Sequence, residues 1–307
     1  MHVFVTGASG WIGSHVVPEL LSHGHTVLAL ARNDQSAAKF DDVKGVEVHH
    51  GSLDDLESLK EGAKKADGII HLAFKHDFEN WVANGDLDAD IVSALCSTLE
   101  GTNKPFVIAS GVATFAMNPA REPGKPVTED ELIPEAMHNL PRVKSERILH
   151  SFSSKGVCTA VVRLPPTVHG KGDPGFVAAL VSMAKQNQLS PFATDETTQP
   201  TFWPGVHVED AAVAFRLAFE KAPTGSTIHA VGDNDGLSVG EMARFIGEKL
   251  DVPVKQVGQD EAGRYFGFLA RFTTLNLRVS ADKTKEVLGW QPAKPTLKQD
   301  LEAGFYC

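Results

Sequence analysis

The chain reads as an α/β protein, a doubly wound parallel sheet with a smaller C-terminal lobe. Three observations carry that expectation. A glycine-rich turn, Thr6-Gly7-Ala8-Ser9-Gly10-Trp11-Ile12-Gly13, follows an apolar run at the first residues. Short apolar runs then alternate with segments whose apolar residues repeat at helical spacing. The 307 residues suffice for one large core with a second lobe, or for two domains.

His2-Val3-Phe4-Val5 reads as a buried strand, and Ile12 to His23 as a helix with Ile12, Val16, Val17, Leu20 and Leu21 on one stripe. Pro18 removes one backbone hydrogen bond from that helix and is expected to bend it. Gly7 permits the tight turn between the two, Gly10 lets the backbone approach a pyrophosphate, and Gly13 lets helix pack on strand. Unpaired N–H groups at the helix start face the anion. Strand, turn and helix thus predict a dinucleotide-binding Rossmann unit, with Gly7, Ser9, Gly10, Trp11, Ile12 and Gly13 against the cofactor.

Gly24 closes the helix and His25 to Ala31 forms a second strand, whose unbroken apolar character suits a sheet covered on both faces. Arg32 follows, about twenty residues past the glycines, where an acid favours NAD and a base NADP. Its guanidinium can pair with a 2′-phosphate, so the cofactor expected is NADP(H). A solvated arginine at a strand end is the plain alternative, and Asp34 fits the NADP reading only if it points away.

Val46 to His50 reads as strand three, and Gly51-Ser52-Leu53-Asp54-Asp55-Leu56 as the turn into a helix, with Asp54 and Asp55 as helix-start acids. Gly68 to Phe74 is strand four, with His71 as a core histidine. Lys75, His76 and Asp77 lie past its end, where open α/β sheets place ligands; they are substrate-pocket groups or a solvated loop. Leu87 to Leu99 reads as a helix, Lys104 to Gly111 as strand five with its exit, and Val157 to Leu164 as strand six. Helices follow over Val177–Gln186, over Ala211–Glu220, and after Ser238, which forms a capping box with Glu241. Tyr265 to Phe272 is aromatic-rich, as core or as pocket lining. Residues 1–170 are expected to form the NADP(H)-binding domain and 171–307 mainly a substrate lobe, with 201–232 partly returning to the first domain.

A formal charge of −10 argues against a general nucleic-acid or anionic-membrane binder, since such surfaces need a basic excess. Three dispersed cysteines give no disulfide framework and no zinc spacing, which fits a reducing compartment. No secretory signal and no run near ~18 apolar residues is visible, so a cytoplasmic protein with a small-molecule substrate and no metal is expected.

The Gly-x-x-Gly-x-x-Gly spacing after Thr6 resembles the short-chain dehydrogenase/reductase superfamily, particularly its extended and atypical, NAD-dependent epimerase/dehydratase-like members. His71-Leu72-Ala73, the run from Arg163 to Gly170, His207-Val208-Glu209-Asp210 and Leu288-Gly289-Trp290-Gln291-Pro292 carry the likeness along the chain. The resemblance puts Ser52 where the family usually carries an adenine-contacting acid, so that contact is altered to the Ser52 hydroxyl or to Leu53 packing; it also implies ribose contacts at Ala73 and Phe74 and a loop containing Pro165 beside the nicotinamide. It places a carbonyl-binding hydroxyl at Ser110, although one register puts Gly111 there. It also raises homodimerisation through two sheet-flanking helices, for which the sequence has no independent signal.

The superfamily's Tyr-x-x-x-Lys pair is missing: the two tyrosines, Tyr265 and Tyr306, lack a lysine four residues on. Registering on Glu146 puts Arg142 where the lysine stands and His138 where the tyrosine stands; a second register keeps Lys144 but pairs it with Leu140. In the first, Arg142 orients the cofactor, Ser110 polarises the acceptor and His138 protonates it, with His138 and Arg142 on one helix face if the helix includes 138. Pro141, which suits a first turn, leaves room for His138 to precede the helix. The activity implied is NADPH-dependent reduction of a small carbonyl or imine compound. An epimerase or dehydratase of nucleotide sugars and a non-catalytic NADP(H) sensor are the alternatives.

Overall fold

The computed structural model describes residues 1–77, 79–118, 121–122, 124–193, 201–273 and 276–307, with the side chains of 234, 235 and 271 left aside. Among the described residues twelve strands are interspersed with helices. They are β1 (His2–Thr6), β2 (Thr26–Ala31), β3 (Val46–His50), β4 (Gly68–His71), β5 (Pro105–Gly111), β6 (Cys158–Leu164), β7 (Thr167–His169), β8 (Ser190–Ala193), β9 (Phe202–His207), β10 (Ser226–His229), β11 (Asp233–Ser238) and β12 (Val254–Val257). Seven of them make one parallel sheet in the order β10-β6-β5-β4-β1-β2-β3. Strand order reverses between β1 and β4, and that crevice is where such sheets bind ligands.

The principal helices are α1 (Gly13–Ser22), the short α2 (Asp34–Ala37), α3 (Leu56–Lys65), α4 (Trp81–Leu99), α5 (Val143–Ser151), α6 (Phe176–Asn187), α7 (Val208–Lys221) and α8 (Val239–Leu250). Alternation along each strand divides the core into two layers. Val107 and Ala109 of β5 pack with Val16 and Leu20 of α1 and Phe215 of α7, whereas Phe106 and Ile108 pack with Leu59 of α3, Ile91 and Leu95 of α4 and Leu149 of α5. Apolar side chains on both faces explain why these strands read as unbroken apolar runs.

Two expectations change. The helix expected from Leu87 starts at Trp81, adding six residues with weak helical character that include Asn84 and Gly85. Packing supplies the reason: a Cβ on Gly85 would lie 2.5 Å from the Pro141 side chain, so the early turns exist where the chain before α5 crosses them. The second lobe also holds strands that the sequence pattern does not show. β11-β9-β7 form a three-stranded sheet and β8 pairs with β12. These strands are short, and several are mostly half-buried or exposed, as Val254-Lys255-Gln256 of β12 is, which leaves no alternation to read. α1 runs on through Pro18.

Within 171–307, β10 joins the edge of the large sheet and α7 covers its face. A separate core around Trp203, Met242, Phe266 and Leu269 holds the remaining lobe together. Phe266 and Leu269 of the aromatic stretch are thus core, while Phe268 is 42% exposed. Among the described residues no helix is long and apolar enough to cross a membrane.

Candidate active site

The site begins at the turn after β1. Gly13 opens α1 with its backbone against the turn: a Cβ there would lie 2.1 Å from the Gly7 carbonyl oxygen and 2.7 Å from the Ala8 backbone. No other residue lets the helix start so close to the strand end, which keeps the first N–H groups of α1 turned toward an anion. Thr6 fixes the neighbouring strand exit, its hydroxyl accepting from the Ala73 N–H at 3.3 Å. Trp11 faces the second lobe and donates its indole N–H to the Val168 carbonyl at 2.8 Å. Its side chain therefore ties the turn to β7, and its contribution to a dinucleotide is left to the backbone.

Arg32 stands exposed at the end of β2, with Asn33 capping α2 beside it. From further along, Lys39 reaches back and donates to the Ser9 carbonyl at 2.9 Å. Lys39 thus puts a cation on the turn itself, while Arg32 stays free in solvent at the β2 exit. Ser52 bonds locally, its hydroxyl accepting from the Asp54 N–H at 3.3 Å. Lys75 pairs with Asp54 at 2.6 Å, joining the exits of β3 and β4. Pro165 is buried just past β6.

At the other end Arg142 is the centre. It sits at the N-cap of α5 with φ 70° and ψ −46°, a strained conformation that non-glycine residues rarely adopt and that clusters at functional sites. Its guanidinium lies 3.7 Å from the Phe74 ring centroid, donates from Nη1 to the Ala109 carbonyl at 3.3 Å, and approaches Asp88 at 3.6 Å. Nε and Nη2 have no hydrogen-bond partner among the described residues, which leaves forked donors for hydroxyls or anions. Burial lowers the arginine pKa, while the charges of Asp88 and Glu146 oppose that.

Asp88 is the hub. It is 4% exposed, lies 3.2 Å from His71 Nε2 and accepts from the Ser145 hydroxyl. His71 in turn meets the Thr6 hydroxyl at 2.7 Å. Burial works against the Asp88 charge, but the His71 hydrogen bond, the Arg142 charge and the Ser145 hydroxyl outweigh it and hold the carboxyl below its usual range. A polar chain therefore runs from the glycine-rich turn through His71 and Asp88 to Arg142. Below it, Glu146 holds Arg163 through Nε at 3.1 Å and Nη2 at 2.6 Å, a buried pair that fixes α5 on β6. Ser110 ends β5 beside them, its hydroxyl buried and unpartnered among the described residues.

Of the residues singled out from sequence, Gly7, Gly13 and Ala73 converge at one end, and Phe74, Arg142 and the Ala109–Ser110 strand end converge at the other. His138 does not share a helix face with Arg142. The helix starts at Val143, His138 follows a short 3-10 turn, and its Nε2 meets the Ile133 carbonyl at 3.1 Å. Tyr306 is held in the second lobe, where its hydroxyl donates to Asp173 at 2.8 Å. Sequence reasoning missed Asp88 and Lys39. Asp88 carried a signal: it shares the helical stripe of Ile91, Val92 and Leu95, and a carboxylate on an apolar face calls for a buried partner. Lys39 had none, since its link to Ser9 spans thirty positions.

The model of the NAD dependent epimerase/dehydratase family matches residues 3–232. The chain is 40% identical over 306 residues to Uncharacterized protein YLL056C of Saccharomyces cerevisiae, covering 99% of each. It is 23% identical over 284 residues to the bifunctional dihydroflavonol 4-reductase/flavanone 4-reductase of Pyrus communis, covering 84% of this chain and 80% of that one. The fold matches that of dTDP-glucose 4,6-dehydratase from Bacillus anthracis, solved in complex with NAD, with TM-score 0.76 and 18% identity over 99% of this chain and 95% of that one. The chain belongs to the NAD dependent epimerase/dehydratase family.

Proposed function

We propose that the protein is an NADP(H)-dependent oxidoreductase that reduces a small carbonyl or imine compound. When bound, the reduced nicotinamide supplies the hydride, and the protein supplies position, charge and a proton. Gly7 to Gly13 cradle the pyrophosphate, and Arg32 with Lys39 face the 2′-phosphate. Arg142 turns its free Nε and Nη2 donors to the ribose hydroxyls. Ser110 donates its hydroxyl to the acceptor oxygen or nitrogen, so that charge developing there is stabilised. A histidine at the mouth, His138 by register or His76 by position, gives the proton.

The observation that carries this reading is the Arg142 arrangement: a largely buried guanidinium on a strained backbone, held by Asp88, Ala109 and Phe74 where the family carries a lysine, with donors left over. The Pyrus relative, a reductase by name, favours reduction over epimerisation. Localisation in the cytoplasm and a homodimer are part of the same proposal.

The test is cofactor consumption against a panel of aldehydes, ketones and cyclic imines, with NADPH and NADH in parallel. NADPH consumed mole for mole with product supports the reading. Cofactor bound and not consumed points to a sensor, and product formed without net consumption points to an epimerase or dehydratase; either result overturns it.

A further inference from the structure

We infer that His76, on the loop leaving β4, is the proton donor of this site. The inference rests on the reduction proposed above and deepens it. His76 lies two residues past Phe74, and its ring packs edge-on against the Phe74 ring at 5.2 Å between centroids. The same Phe74 ring carries Arg142 on its face and Trp81 at 5.1 Å. One aromatic ring therefore brings imidazole and guanidinium to the carboxyl end of β4, beside the strand reversal where ligands bind.

Competing acids are accounted for. Tyr306 donates a hydrogen bond to Asp173 in the second lobe, and burial together with Asp173 raises its pKa. Tyr265 lies in the lobe with Lys255 and Arg264 at its ring. His71 is enclosed between Thr6 and Asp88. His138 meets the Ile133 carbonyl. His76 is exposed, so its ring can be reprotonated from water after each turnover.

Its electrostatic surroundings make the imidazolium a stronger acid, though a scarcer one at neutral pH. Crowding by the protein and then the Arg142 charge lower its pKa, while the Phe74 carbonyl and the Asp88 charge oppose them. Lys75 is occupied by Asp54, and Asp77 by Asn80. In the step, hydride adds to the carbonyl carbon, the C=O π pair moves to oxygen, and the imidazolium N–H proton forms the new O–H bond. The cofactor is oxidised, the carbonyl is reduced to the alcohol, and the neutral imidazole takes a proton from solvent.

The test uses the whole enzyme with NADPH and the best acceptor from the carbonyl panel. His76→Ala should lower kcat at least a hundredfold, leave the KM for NADPH within about threefold, and regain turnover with added imidazole, which a structural role would not do. A readout independent of turnover is the histidine ring NMR spectrum, assigned with His76→Gln. The His76 signal should titrate below 6.5 and shift on adding NADP+. Unchanged turnover in His76→Ala, or imidazole rescue of His138→Ala instead, overturns the inference while leaving the reductase standing. A His76 signal indifferent to NADP+, while other signals move, overturns it too. A wild-type enzyme that consumes no NADPH with any acceptor overturns the reductase reading itself, and the inference with it.

Discussion

Asp88→Asn keeps the shape of the hub and removes its charge. Arg142 then keeps the distant Glu146 and the Phe74 face but loses its nearest counter-ion, 3.6 Å away, with side chains 14% and 4% exposed. Removing one partner of a buried pair costs about 3–5 kcal/mol. The remaining exposure of Arg142 and the field of Glu146 put this case at the lower end, so about 3 kcal/mol is expected. At about 2 °C per kcal/mol for a chain of this size, the midpoint should fall by roughly 6 °C. Urea unfolding of Asp88→Asn, Arg142→Gln and the double variant gives the coupling directly. Because the folded-state pKa of Asp88 is lowered, its stabilisation is complete above the unfolded value near 3.8 and is lost as pH falls below that. The gap between wild type and Asp88→Asn should therefore be full at pH 7 and narrow below pH 4. A variant within about 0.5 kcal/mol of wild type at pH 7, or a gap independent of pH, would refute the hub.

Other perturbations follow from the same contacts. Gly13→Ala drives a Cβ to 2.1 Å from the Gly7 carbonyl, so NADPH affinity by fluorescence titration should fall more than about tenfold; an unchanged Kd would contradict the cradle. Arg32→Asp should weaken NADPH by roughly ten- to a hundredfold, the worth of a charge-assisted hydrogen bond, and NADH by much less. Lys39→Met should do the same more weakly, and equal losses for both cofactors would remove the 2′-phosphate assignment. His229 is fully buried, and burial, opposed by the Ser280 carbonyl, pushes its pKa down to about 4. Its neutral form is favoured by up to about 3 kcal/mol, a stabilisation complete above pH 6.5 and lost as pH falls toward 4. His229→Gln should flatten that part of the stability profile, and an unchanged profile would place the acid sensitivity elsewhere.

The cofactor half was legible because its signals are local. Gly7 to Gly13, the apolar strands and the Arg32 position each depend on neighbours within one strand–turn–helix unit, and the strand reversal follows from right-handed crossovers. The Arg142 end was not, because it is assembled across the chain. Arg142 meets Asp88 only because Gly85 lets Pro141 lie against α4, and the strained φ at Arg142 breaks the helical spacing that would have put His138 beside it. The short strands of the second lobe escaped notice for a different reason: with three to six residues and mixed burial, their order comes from pairing rather than pattern.

The most direct test of the central claim is a single turnover with NADPH carrying deuterium at both hydrogens of nicotinamide C4, using the best acceptor of the panel. Transfer of hydride at the Arg142–Ser110 site predicts one deuterium on the reduced carbon of the product, one oxidised cofactor per product, and loss of both in Arg142→Gln. Product without label, or label transfer undiminished in Arg142→Gln, would contradict the account.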